Sequence, residues 1–138
     1  MAEGLLRTHF AAAGLDIQVD SAGTGGWHVG DPPDPRTIET ARRNGIDVGA
    51  LRGRQLAPED FTRFDLILAM DAGNAAAALA MRPEGARAMV HLFLDYASGN
   101  PADVPDPYYG GADGFQAMFN MLDEAAVLLV RRLQAASG

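Results

Sequence analysis

Cysteine does not occur among the 138 residues, and neither does lysine; all eleven basic side chains are arginine. The first absence excludes disulfide frameworks, thiolate metal sites and a cysteine nucleophile within this polypeptide. The second excludes Schiff-base chemistry, P-loop nucleotide sites and receiver domains, each of which needs a lysine. Aromatic residues are sparse, at 7%, so the few present carry information. Apolar runs stop far short of the ~20 residues that a membrane span requires. The opening stretch has no basic region followed by a clean apolar core, so it does not read as a secretory signal, and a soluble cytoplasmic protein is expected. Positive charge is in deficit too. The net charge of −7 has the wrong sign for a nucleic-acid footprint or for adhesion to an anionic membrane.

What remains is ordinary globular material. With 48% hydrophobic and 21% charged residues, the chain has enough apolar content for one core, and residues 1–138 read as a single domain. Leu5, Leu6, His9, Phe10 and Ala13 recur at helical spacing before Gly14, which predicts a helix over 2–13. Ile17 and Val19 share a face of a short strand over 17–21. Residues 22–35 are rich in glycine and proline and read as a long loop, of the kind that is usually functional. Asp34 and Pro35 look like an N-cap and first helical position, with the helix ending at Asn44 and Gly45. A second loop over 46–57 precedes a short acidic turn opened by Pro58.

The run over 65–70 is continuously apolar after Asp65, as expected of a strand covered on both faces. Asp71 then caps a helix to about Met81, residues 88–94 give another strand, and 95–114 another long loop. The last helix, 115–133, places Phe119, Leu122, Ala126, Leu129 and Leu133 on one stripe. Strands alternating with helices imply an α/β fold, a three-layer sandwich around a short parallel sheet of three strands. Asp71, at a strand end, invites comparison with aspartyl-phosphate enzymes. The missing lysine and the lack of a second acidic cluster favour a helix cap instead. His9, His28 and His91 are too scattered for a metal site, and neither a metal nor a cofactor is expected.

Several segments together resemble one family. Asp103, Val104, Pro105, Asp106, Pro107, Tyr108, Tyr109 and Gly110 look like the acid loop of the low-molecular-weight protein tyrosine phosphatases. Ser21, Ala22, Gly23 and Thr24, with Trp27, His28 and Gly30 after them, match a second signature. Arg54-Gln55-Leu56, the stretch from Phe64 to Asp71, and Asn74 match others in the same order. The opening Met1-Ala2-Glu3-Gly4 is similar to the segment that family members carry immediately after a loop of Cys, five residues, Arg, Ser and Pro. Each motif alone is weak; five in register are not. The resemblance covers essentially the whole chain.

It implies a two-step hydrolysis of phosphomonoesters through a phosphocysteine, acting on a phosphotyrosine protein or a small aryl phosphate. By the same resemblance Asp106 is the general acid, and Trp27, Tyr108 and Tyr109 wall the substrate slot. Ser21 matches a serine that braces the nucleophile loop; as a residue it reads equally well as a strand-terminal serine satisfying a turn. Asp-Pro pairs such as Asp106-Pro107 also occur in plain turns.

Two departures stand out. The nucleophile loop and the family's first strand, central in the sheet order 2-1-3-4, have no counterpart here, as if the chain began at a downstream start or had been trimmed. Leu51 stands where the family usually has a histidine bonded to that loop. The expectation is therefore a family domain that is inactive as it stands, with self-association through unpaired strand edges. The alternatives are a pseudophosphatase that binds phosphotyrosine-like or partner ligands, and an unrelated α/β domain.

Overall fold

The first helix, α1 (Ala2–Ala12), buries Leu5, Leu6 and Phe10 on one side and carries Glu3 in its first turn, where the helix dipole favours an acid. Gly14 ends it with a positive φ of 70°. This computed structural model describes residues 1–25, 29–104 and 111–137, with the side chains of the last helix described over 114–135. In α2 (Pro35–Arg43) the Asp34 side chain accepts from the Arg36 N–H at 2.8 Å and Pro35 opens the helix, as the sequence predicts. The acidic turn after Pro58 closes into a short helix, α3 (Asp60–Arg63).

A single crossover forms the sheet. Strand β1 (Leu66–Ala69) feeds α4 (Ala72–Met81), which returns to β2 (Met89–Leu92). The two strands run parallel, with Leu66 opposite Met89, Ile67 opposite Val90, Leu68 opposite His91 and Ala69 opposite Leu92. The chain then turns at once into α5 (Phe93–Ser98), and α6 (Gly111–Ser137) completes the described elements. The architecture is α/β with a short parallel sheet, as expected.

Several details differ from the expectation. The sheet has two strands among the described residues, not three. Residues 17–21 make no ladder; the nearest pairing is an isolated parallel bridge between Gly23 and Gln55. A strand needs a neighbour, and the backbone of this stretch takes a side-chain donor instead, Arg7 Nη2 to the Val19 carbonyl at 2.9 Å. Strand β1 is covered on both faces as expected, by Leu68 against one core and Ile67 against the other, but incompletely. Leu66, Ile67 and Leu68 stay half-buried and only Ala69 is fully enclosed.

The strand placed over 88–94 stops at Leu92. Phe93, Leu94 and Ala97 have helical spacing and are buried in α5, which Gly99 ends in the left-handed region. The last helix begins at Gly111 rather than at 115.

Side chains alternate across β1 into two cores. Leu68, with Met70 just beyond the strand, packs on the larger one, formed by Leu5, Leu6 and Phe10 of α1, Ala41, Ile46 and Val48, Phe93 and Leu94, and Phe119, Leu122, Ala126 and Leu129 of α6. Ile67 and Val90 pack on the smaller one, Phe61 with Ala78, Ala86 and Ala88. Helix α6 lies against α1, α2 and α5, so the expected stripe on it is the spine of the larger core.

Close packing fixes one glycine. A Cβ on Gly4 would lie 2.6 Å from Val48 Cγ1 and 3.0 Å from Ile46 Cγ2, and Val48 is wholly buried. Overpacking of this kind costs about 1–3 kcal/mol, against a helix-propensity gain of about 1 kcal/mol for alanine over glycine. We predict that Gly4→Ala lowers the urea midpoint. A Gly4→Ala protein as stable as the parent would show that α1 has room to move away from Val48.

Candidate functional site at the end of strand β1

Where β1 ends and α4 starts, the first N–H groups of the helix have no intrahelical partner. Carboxylates from two places take two of them. Asp71 Oδ1 accepts from the Asn74 N–H at 2.7 Å, confirming the cap, and Asp103 Oδ1 accepts from the Ala72 N–H at 2.9 Å. One residue further on, the Val104 N–H donates to the Met70 carbonyl at 2.7 Å. The stem of the segment that resembles an acid loop is thus strapped to the strand end by two bonds from adjacent residues. Asp103 was legible only as part of the motif; its capping role joins residues 31 apart and leaves no local signature.

The glycine-rich loop arrives at the same corner. Thr24 Oγ1 donates to Asn74 Oδ1 at 3.2 Å. Both stems of this loop rest on one strip of backbone. The Gly23 N–H donates to the Arg54 carbonyl at 2.8 Å and the Leu56 N–H to the Gly23 carbonyl at 2.7 Å, while the Gly30 N–H donates to the Gly53 carbonyl at 2.8 Å and the Gly53 N–H to the Asp31 carbonyl at 2.7 Å. Trp27, Asp106, Tyr108 and Tyr109 lie outside the described residues.

Ser21 is described. Its hydroxyl donates to Glu3 Oε1 at 2.5 Å, which ties this segment to the first turn of α1. Glu3 is buried; its other oxygen lies 2.8 Å from Arg7 Nη2, off the hydrogen-bonding direction. An acid in a buried helix face is the residue that sequence reasoning passed over, and Glu3 stood in plain view between apolar neighbours. Leu51, half-buried, packs against the larger core. His9 Nε2 meets Asp123 Oδ1 at 2.7 Å on the far side of α1, and His91 stacks on Tyr96 with ring centroids 5.2 Å apart. No three His, Asp or Glu side chains among the described residues form a group that could hold a metal ion.

Below the corner, Arg54 bridges two carboxylates. Its Nε lies 3.1 Å from Asp20 Oδ2 and its Nη1 2.9 Å from Asp60 Oδ2, and that same oxygen accepts the Ala57 N–H at 2.9 Å. Burial pushes the Asp60 carboxyl up, but the Arg54 and Ala57 bonds, with the charges of Arg54 and Arg63, outweigh it and hold the group below the usual carboxylate range. The Asp60 bond in turn raises Arg54.

A carboxyl whose folded value is depressed stabilises the fold fully above its unfolded value, about 3.9, and loses that contribution as pH falls through the folded value. Asp60→Asn should therefore cost about 1.5–3 kcal/mol at pH 7, the range for hydrogen bonds to charged groups. The gap to the parent should narrow between about pH 5 and about pH 3 in urea titrations. A gap of constant size would assign the loss to packing rather than charge.

The family model described as low molecular weight phosphotyrosine protein phosphatase matches residues 1–137. The low molecular weight phosphotyrosine protein phosphatase of Schizosaccharomyces pombe is 49% identical over 119 residues, covering 83% of this chain and 76% of that one. The low molecular weight protein-tyrosine-phosphatase of Streptomyces coelicolor is 41% identical over 138 residues, covering 94% and 82%. The crystal structure of a protein tyrosine phosphatase from Entamoeba histolytica with Hepes in the active site superimposes with a TM-score of 0.89 at 30% identity, covering 99% of this chain and 89% of that one. With the family model spanning almost every residue and the fold reproduced, the chain belongs to the low molecular weight phosphotyrosine protein phosphatase family.

Proposed function

We propose that the corner between β1 and α4 is the place where this domain handles a phosphotyrosine protein or a small aryl phosphate. The observation that supports the reading is convergence: the stems at Thr24 and at Asp103-Val104 are both bonded to residues 70–74. Each stem leads into a stretch that matches a family motif. In this reading Asp106 is the general acid that protonates the leaving phenolate, an effect worth roughly 10²–10⁴-fold where phosphate is held. Trp27, Tyr108 and Tyr109 flank the flat ring. Ser21, through Glu3, braces the first turn of α1.

The same reading limits what these 138 residues do alone. The covalent step needs a thiolate, and there is no cysteine in the sequence. Removing a nucleophile that acts as part of a unit abolishes most of the rate enhancement, so this polypeptide by itself is not a catalyst for aryl phosphates. A second reading, a non-catalytic module that binds phosphotyrosine-like ligands, draws on the same fact: the aromatic and acidic positions are kept while the nucleophile type is absent.

Hydrolysis of p-nitrophenyl phosphate by the purified 138-residue chain should stay at the buffer rate with and without vanadate. Vanadate-sensitive turnover would overturn the inactive reading. Calorimetric titration with a phosphotyrosine peptide separates the two readings, since saturable binding favours the module.

A further inference from the structure

Arg54 is half-buried, belongs to neither hydrophobic core, and yet ties together separate pieces of chain around the glycine-rich loop. Its guanidinium spans Asp20, three residues before the Gly23 stem, and Asp60, the buried first residue of α3. Its own carbonyl accepts the Gly23 N–H, and its neighbour Gly53 exchanges backbone bonds with the other stem at Gly30 and Asp31. Both ends of the glycine-rich loop are hydrogen-bonded to the strip over 53–56, and that strip is held by Leu56 on the smaller core and by the ion-paired fork of Arg54.

We infer that Arg54 is a positioning residue for the two stems of the glycine-rich loop, at Gly23 and at Gly30, between which the chain's one tryptophan, Trp27, lies in sequence. The geometry suits that task. A guanidinium is planar and presents separate donors at fixed angles, so it can bond two carboxylates at once and fix the angle between them, which an ammonium cannot. Asp60 is itself held from the other side by the Ala57 N–H, so the fork is anchored on a rigid partner. The Asp20 end is more exposed, with about a third of each side chain open, and is the end that moves if the fork is lost. That Trp27 walls a substrate slot rests on the function proposed above; that Arg54 holds the stems of the loop does not.

Because Trp27 is unique, its fluorescence reads the loop alone, while far-UV circular dichroism reads the helices. In Arg54→Met the Stern–Volmer constant for acrylamide quenching should rise at least about twofold under conditions where the circular dichroism is unchanged, since a local opening is separable from the global one. Arg54→Lys should bring the constant part of the way back to the parent's value. If Arg54→Met does not fold, Asp20→Asn, which leaves the Arg54–Asp60 bond in place, should still raise the quenching constant in a folded protein. Quenching unchanged in a folded Arg54→Met or Asp20→Asn protein, or a rise that only tracks global unfolding, overturns the inference. Failure of phosphotyrosine binding would not, because the fluorescence measurement does not use the ligand.

Discussion

Helix α4 begins with backbone donors that no helical carbonyl can reach, and this requirement organises the end of the sheet. Asp71 meets part of it from the adjacent residue and Asp103 meets another part from across the molecule. Because one of the caps is long-range, the first turn of the helix has both side-chain caps only with the stem of a distant loop beside it. Capping and loop placement therefore favour each other. That coupling lets a small domain aim two irregular segments at one corner without a large scaffold beneath them.

The rest of the molecule supports this corner from two unequal sides. Three helices and the stretch holding Ile46 and Val48 join α6 in the larger core. This gives α1 a fixed seat, and with it Glu3 and its bond to Ser21. On the other face of the strands, α3 and α4 meet over one phenylalanine and three alanines. Arg54 links the glycine-rich loop to that lighter side through Asp60, and Leu56, whose N–H bonds the Gly23 carbonyl, packs on the same core as Phe61, so the loop's first stem is tied to α3 by charge and apolar contact together.

Most of the fold could be read from local chemistry. The Asp34-Pro35 start of α2, the Asp71 cap of α4, and the stripe on α6 depend on spacing within a few residues, and each is where spacing puts it. What escaped was decided elsewhere. Residues 17–21 have strand-like composition, but pairing depends on a neighbour that composition does not report. Phe93 and Leu94 read as the end of a strand because a short apolar run has no period of its own; Ala97 and Gly99 were the cues to a helix. At the site, motif order named the segments, whereas the bonds that assemble them, Asp103 to Ala72 and Arg54 to Asp20 and Asp60, join residues whose proximity no local pattern encodes.

The smaller core carries a consequence for how this sequence can drift. On the α6 side, work is shared among many interchangeable aliphatic groups, so a loss at one position can be absorbed by repacking at another. Beneath α4 there is less redundancy, because the buried residues besides Phe61 are alanines and Leu56, Ile67, Met81 and Val90 are only partly covered around it. Neutral variation should therefore accumulate along the long C-terminal helix, while the lineage stays locked to one aromatic ring behind the sheet.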